Sequence, residues 1–225
     1  IESVIGTGGN DTMQGNSQAN EFFGLGGNDF FTGGGGNDLF DGGSGNDTVS
    51  YAGGPAVNGG TMDGLSGTIT TTSGDTDSLT DIESVILTSS NDTINLTTDS
   101  VANLTSLNAG GGTDTINVLN DGSGNDLSDW GGLDGIDFAS VFTNVEILDF
   151  TATDLSDLFS IGDLDISNIT GNGNNLTIRT DLSTIDFSDF AFLEQSGSIT
   201  FNAMTDTDTH TVIWDSGQQL TIQAV

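Results

Sequence analysis

The 225-residue sequence has no cysteine, one proline, one histidine and one basic side chain, Arg179. Without cysteine it can form neither a disulfide framework nor a thiolate metal site. Its apolar runs are far shorter than a membrane span, and its first residues lack the basic-then-apolar pattern of a Sec-type signal peptide. We therefore expect no membrane insertion, and a chain that is cytoplasmic, exported by another route or cut from something longer.

Acidic side chains dominate the composition. Against one Lys or Arg stand 33 Asp and Glu, which give a formal charge of −32 at pH 7. Such a charge excludes nucleic acids and anionic membrane surfaces as partners. It also repels itself, so the folded state must include a cation or the chain is largely disordered. Aspartates number 28 and glutamates 5, which indicates short carboxylates held close to the backbone, as hard cations prefer.

Residues 6–50 divide into consecutive nonapeptides without an insertion. They read GTGGNDTMQ, GNSQANEFF, GLGGNDFFT, GGGGNDLFD and GGSGNDTVS, with a large apolar residue at position eight of every copy. The second copy departs from the pattern, with Gln18 at position four and Asn20 at position six. The other copies have glycine at position four and aspartate at position six: Gly9, Gly27, Gly36 and Gly45, and Asp11, Asp29, Asp38 and Asp47.

This spacing predicts a sharp turn followed by a short strand in every repeat. Glycines permit positive φ and close backbone approach over the first six residues. The last three residues then form a strand whose apolar eighth residue points inward, while the seventh and ninth point outward. A chain that turns every nine residues can wind into a two-layered parallel roll with two repeats per coil. Loops 18 residues apart in the sequence then become neighbours.

The nonapeptides resemble the RTX family of calcium-binding repeats, whose motif is GGxGxDxUx. The resemblance implies an all-β fold, a right-handed parallel β-roll or β-solenoid with calcium between stacked loops. It implies that position-six carboxylates and loop carbonyl oxygens hold the ions. On this sequence Asp11, Asp29 and Asp47 would share one edge, and Asp38 would face the Asn20 loop on the other. The position-four glycines belong to the same implied metal sites.

Looser copies of the motif follow. IESVILTSSNDTI at 82–94 matches IESVIGTGGNDTM at 1–13 at nine of thirteen positions. NAGGGTDTINV at 108–118 and DGSGNDLSD at 121–129 repeat the pattern less closely. Between the strict and the looser copies lies a turn-rich segment with a Thr/Ile strand, expected to be a longer excursion between coils. The additional calcium ligands predicted from these copies are Asp92, Asp114 and Asp126.

We expect three segments along the chain. Residues 1–54 form the RTX β-roll, and residues 55–129 an irregular β-solenoid continuation with degenerate repeats. Residues 130–225 form a C-terminal β-rich capping region, because an uncapped solenoid exposes its apolar core and its strand edges. The final segment THTVIWDSGQQLTIQAV alternates apolar and polar residues around a turn and is predicted to be a β-hairpin.

No catalytic constellation is recognisable, and we predict that the chain is not an enzyme. His210 lies in a threonine-alternating strand, where an outward polar position explains it. The HExxH motif of zinc proteases is absent. Paired carboxylates are frequent, but no apolar pocket that would raise the pKa of one partner is indicated. Arg179, alone among the acids, is most simply explained by an ion pair.

The function expected from these patterns is a calcium-dependent extracellular structural module of a larger type I secreted RTX adhesin. By resemblance, it would fold on binding calcium outside a Gram-negative bacterium, secreted or at the cell surface. Its partners would be calcium ions, other domains of the same long chain and the type I secretion machinery. Alternatives are a surface-layer subunit that assembles with calcium, and the repeat module of a secreted protease, lipase or polysaccharide epimerase. Ice binding through a loop edge is a further alternative, but the row of threonines that it needs is missing.

Overall fold

A computed structural model describes residues 2–119, 141–150, 176–180, 209–213 and 219–224. Their regular structure is β-strand apart from one short helix, and the other described residues form the turns and loops between strands. The elements in chain order are β1 Glu2–Ile5, β2 Thr12–Gln14, β3 Asn20–Phe23, β4 Phe30–Thr32, β5 Leu39–Asp41, β6 Thr48–Ser50, β7 Val57–Asp63, β8 Ser66–Thr71, β9 Thr76–Thr80, β10 Ser84–Ile86, β11 Thr93–Thr97, α1 Thr98–Asn103, β12 Ser106–Asn108, β13 Thr115–Leu119, β14 Phe142–Thr143, β15 Ile147–Asp149, β16 Leu176–Thr180, β17 Thr209–Ile213 and β18 Gln219–Ala224.

The strands alternate between two layers. Within the described residues the first sheet runs in the order β1-β3-β5-β9-β8-β7-β11-β13-β15-β16-β18-β17, and the second in the order β14-β12-β10-β6-β4-β2. Strands 18 residues apart pair in parallel without a shift, so that Met13 lies beside Phe31 and Phe22 beside Phe40. Two nonapeptides therefore make one coil, as the repeat length predicts, and the all-β roll expected from the sequence is confirmed.

Position-eight side chains form the core between the two layers. Phe22, Phe31 and Phe40 are fully buried, and Met13 is nearly so. Phe22 and Phe40, from neighbouring strands of the first sheet, stack with ring centroids 5.2 Å apart. Phe31 approaches both rings from the opposite layer, at 6.1 and 5.9 Å. The aromatic residues thus fill the narrow space between two sheets that small glycine-rich turns hold close together.

Strands β7 to β9 form an excursion inside the first sheet. Strand β8 pairs antiparallel with both β7 and β9. At the two outer sides of this group, β9 pairs in parallel with β5, and β7 pairs in parallel with β11. This coil therefore contributes three strands to the first sheet, whereas each coil of the strict repeats contributes one. The core continues without a gap, because Met62, Ile69 and Leu79 are buried on its inner face.

The later strands extend the same sheet. Strands β15, β16 and β18 pair in parallel, and β17 pairs antiparallel with β18, as expected for the final hairpin. Most of the predicted capping region, residues 130–225, lies outside the described residues. No helix in the described part of the chain is long and apolar enough to cross a membrane.

We predict that Phe31→Ala lowers the free energy of unfolding by about 3 to 5 kcal/mol, because the ring is fully buried and its removal leaves a cavity between the sheets. The matched control is Phe30→Ala on the same strand, since Phe30 is 37% exposed and occupies the outward position. It should cost less than about 1 kcal/mol. Denaturant unfolding in excess calcium measures both, and equal losses for the two variants would contradict the inward position of Phe31.

Candidate metal centre

The turns that precede the strands are stacked along the edges of the roll and linked by hydrogen bonds to carboxylates. The backbone N–H of Asp11 donates to Oδ1 of Asp29 at 2.7 Å, and that of Asp29 donates to Oδ1 of Asp47 at 2.7 Å. On the other edge the N–H of Asn20 donates to Oδ1 of Asp38 at 2.8 Å. Each carboxylate thus joins its own coil to the preceding one. We call this series of hydrogen bonds the carboxylate ladder.

Three acids that the sequence analysis did not single out continue the ladder. Asp77 accepts from the N–H of Asp38 at 2.8 Å, Glu83 from that of Asp47 at 2.7 Å, and Glu146 from that of Asp114 at 2.9 Å. A sequence signal for them does exist, because each lies two residues before a buried apolar residue, as position six does. Those apolar residues are Leu79, Val85 and Leu148. The position-one and position-four glycines that mark the strict repeats are missing before these acids, so the nine-residue register is not recognisable.

The predicted ligands of the degenerate copies lie in a ladder of the same kind. Asp92 accepts from the N–H of Val57 at 2.7 Å, and Asp114 accepts from the N–H of Asp92 at 2.7 Å. Both carboxylates are buried, at 1% and 0% exposure. Asp126 lies outside the described residues.

The second oxygen of several ladder carboxylates has no partner. Oδ2 of Asp29, Asp47 and Asp114 accepts no hydrogen bond from the protein. These residues are no more than 2% exposed, so bulk water does not reach the oxygens either. A buried carboxylate oxygen without a donor costs free energy that a bound cation would recover. These three oxygens are the clearest indication of where a cation fits.

The glycines at position one leave room beside these oxygens. A Cβ atom built on Gly24 would collide with Oδ2 of Asp29 and would lie 2.6 Å from the carbonyl oxygen of Gly42, in the next coil. On Gly6 the corresponding atoms are Oδ2 of Asp11 and the carbonyl oxygen of Gly24, both 2.8 Å away. A carboxylate oxygen and a carbonyl oxygen of the neighbouring coil therefore border the same small space. Oxygen ligands of this kind suit calcium.

The position-four glycines have a conformational role in this geometry. Gly27, Gly36 and Gly45 have φ angles of 102°, 92° and 146°, whereas the φ angle of Gly9 is not positive. A Cβ on Gly27 would lie 2.5 Å from the carbonyl carbon of Gly9 in the preceding coil. Glycine is therefore required for the coils to stack closely. That the carbonyl oxygens of these glycines bind metal stays a prediction.

A second row of hydrogen bonds runs beside the ladder. The N–H of Asn28 donates to Oδ1 of Asn10 at 2.8 Å, and the N–H of Asn46 donates to Oδ1 of Asn28 at 3.1 Å. These bonds run from a later coil to an earlier one, opposite to the carboxylate ladder. In loops 6–11, 24–29 and 42–47, position five and position six together therefore link the stacked coils in both directions.

Burial raises the pKa of several ladder carboxyls. The pKa of Asp114 rises to about 7 because burial outweighs the hydrogen bond from the N–H of Asp92, and the charges of Glu146 and Asp92 add to the rise. Burial likewise raises the pKa of Asp38 to about 6 against the hydrogen bond from Asn20, with further increases from Asp77 and Asp75. The negative charges of the ladder thus disfavour one another in the absence of a cation.

A pocket of about 160 Å³ lies beside the edge that carries Asp38 and Asp77. It is lined by residues from segments 32–36, 50–55 and 71–77. Asp75 and Asp77 line it together with Tyr51. The Tyr51 hydroxyl is buried beside the carboxylate of Asp77. Burial raises the pKa of Tyr51 well above its usual value, and the nearby Asp77 raises it further.

No three His, Cys, Asp or Glu side chains converge on a possible metal position in the described part of the chain. The remaining ligands of a cation would have to be backbone oxygens. Arg179 forms an ion pair with Asp149, its in-register neighbour, at 3.6 Å, as the sequence analysis expects.

Residues 1–31 and 15–49 match the family described as the RTX calcium-binding nonapeptide repeat (4 copies). This confirms the resemblance inferred from the nonapeptides, and RTX nonapeptide repeats bind calcium. None of the curated proteins matches the chain. Among solved structures, the extracellular lipase LipA from Serratia marcescens aligns with a TM-score of 0.34 and 13% identity. The alignment covers 100% of this chain and 38% of the lipase, so the chain spans well under half of that protein's length.

We predict that the calcium-free chain becomes more stable as the pH falls. The pKa values of Asp38 and Asp114 in the folded chain, about 6 and about 7, exceed the ordinary value of 3.8. A raised pKa means that the folded state binds protons more tightly than the unfolded state. Each ionised carboxylate therefore lowers the free energy of unfolding fully above its folded pKa, and this loss disappears as the pH falls toward 4.

In chelator the folded fraction, measured by circular dichroism, should therefore rise as the pH is lowered from about 8 to about 5.5. Asp114→Asn, which is neutral throughout, should weaken that rise. A wild-type folded fraction that stays level or falls as the pH is lowered over this range would contradict the prediction.

Proposed function

We propose that this chain is a calcium-dependent extracellular structural module of a larger RTX protein, of the type I secreted adhesin class. RTX repeats are structural calcium-binding units rather than catalytic ones, and RTX proteins are typically secreted. The observation that carries the proposal is the set of buried, unpartnered carboxylate oxygens on Asp29 and Asp47 at one edge and on Asp114 at the other. Such oxygens are expected where a protein folds around a cation that belongs to its folded state.

The proposed ligands are the position-six carboxylates together with carbonyl oxygens of the neighbouring coil. Asp29 and the carbonyl oxygen of Gly42 border the space at Gly24, which supports a site shared between two stacked loops. A calcium ion there would neutralise charges that the fold crowds together. It would also couple adjacent coils, because its ligands come from both.

Coupling of folding to calcium suits a protein that must stay extended until it has left the cell. A chain with 33 acids and one basic residue repels itself while calcium is scarce. Extracellular modules typically bind calcium with dissociation constants of about 0.1 to 1 mM, so exposure to the medium would fill the sites. The partners we propose are calcium, the other domains of the parent chain and the type I secretion machinery.

We predict that calcium drives the folding of this chain. At a concentration about 100 times the dissociation constant, each occupied site should add about 2.7 kcal/mol to the free energy of unfolding. Circular dichroism should show loss of β-structure on chelation, over residues 1–54 at least, and recovery with calcium but not with equal magnesium. The proposal fails if full removal of calcium leaves both the spectrum and the melting temperature unchanged.

A further prediction is that the chain has no hydrolytic or transfer activity of its own. It contains one histidine and no cysteine or lysine, and the ladder uses its buried acids for hydrogen bonding. The calcium-loaded chain should therefore leave peptide, ester and polysaccharide substrates unchanged in chromatographic assays. Turnover that is lost in His210→Ala would establish the opposite.

A further inference from the structure

Seven of the stacked loops, those that end in Asp11, Asn20, Asp29, Asp38, Asp47, Asp92 and Asp114, fall into two conformations. In one, which we call the open loops, the residues at positions two and four have positive φ. Position two is then Leu25, Gly34, Gly43 or Gly110, with φ from 74° to 104°. The open loops are 24–29, 33–38, 42–47 and 109–114. In the closed loops, which are 6–11, 15–20 and 87–92, no residue has positive φ.

In the closed loops the position-six side chain binds the backbone of its own loop. The N–H of position two donates to it in each case, from Thr7 to Asp11 at 2.6 Å and from Thr88 to Asp92 at 2.8 Å. In loop 15–20 the same bond joins Asn16 to Asn20 at 3.0 Å.

Two closed loops add a threonine hydroxyl. That of Thr88 lies 2.9 Å from both carboxylate oxygens of Asp92, and that of Thr7 lies 2.9 Å from Oδ2 of Asp11. In these loops Oδ2 therefore has both an N–H and an O–H donor. The donors occupy the position that a cation would have beside the carboxylate.

Three of the four open loops leave the same oxygen buried without a donor. A left-handed residue at position two turns its N–H away, and Oδ2 of Asp29, Asp47 and Asp114 is buried without a partner. Asp92 and Asp114 make the comparison sharpest. They are consecutive members of one ladder and equally buried, and they differ in whether their loop is closed by a threonine.

We propose that the closed loops are calcium-independent, because their position-two residue donates a hydrogen bond to the position-six side chain in place of the ion, and that calcium is held at the open loops of Asp29, Asp47 and Asp114. This rests on the proposed calcium function and divides the predicted ligands into two groups. Asp11 and Asp92 serve as structural acceptors. The coil that contains Asp92 therefore keeps its loop geometry when calcium is absent.

The test compares Asp92→Asn with Asp114→Asn in the full 225-residue chain. Titration calorimetry of the chelator-stripped protein with calcium chloride measures the number of bound ions. Asp114→Asn should bind roughly one ion fewer than wild type, because an amide NH2 group replaces the Oδ2 that is proposed to contact calcium. Asp92→Asn should bind the wild-type number, and its melting temperature should fall equally with and without calcium, because it loses a bond to Thr88.

A second variant tests the inference if Asp92→Asn fails to fold. Replacing Thr88 and Ser90 together by glycine gives loop 87–92 the position-two and position-four residues of the open loops. This variant should bind roughly one ion more than wild type.

Loss of ions in a folded Asp92→Asn variant, or an unchanged number in the double-glycine variant, would overturn the division into two groups and leave the calcium function intact. A wild-type chain that binds no calcium at millimolar concentration would instead overturn the proposed function itself.

Discussion

The hydrogen bond from a position-six N–H to the carboxylate of the next coil is the interaction on which this structure depends. It fixes the spacing of the coils, and it requires an acid in almost every turn. Because those acids are buried at both edges, negative charge is concentrated there and must be neutralised. The glycine turns, the aromatic core and the need for calcium follow from that arrangement, because the loops must approach closely for each carboxylate to reach the coil before it.

The sequence alone predicts the strict part of this arrangement well. Nine-residue spacing with glycine, aspartate and a large apolar residue in phase is sufficient to place Phe22, Phe31 and Phe40 in the core and Asp29 between Asp11 and Asp47. Asp77, Glu83 and Glu146 were not predicted, because only the acid and the buried apolar residue of the motif remain around them. Their partners are 32 to 39 residues away, so no fixed interval reveals them.

The excursion β7 to β9 shows a different limit of sequence reasoning. Its composition predicts turns and one strand, whereas it contains three strands. Which edge each strand joins is decided by the open hydrogen-bonding groups of β5 and β11, which are far apart in the sequence. The buried side chains of Met62 and Ile69 keep the core continuous across the inserted strands. Loop conformation was also beyond prediction, since it depends on whether the position-two N–H donates to the position-six side chain or the position-two residue is left-handed.

The ladder is directional, and this makes the two ends of a stacked run unequal. A coil joined at the N-terminal side of a run needs to offer only a backbone N–H, which any residue except proline can supply. Val57 and Asn20 do this without an acid of their own. A coil joined at the C-terminal side must bring an acid to meet the N–H already there. Repeat arrays built in this way can therefore tolerate a degenerate first member, whereas their last member has to keep its carboxylate.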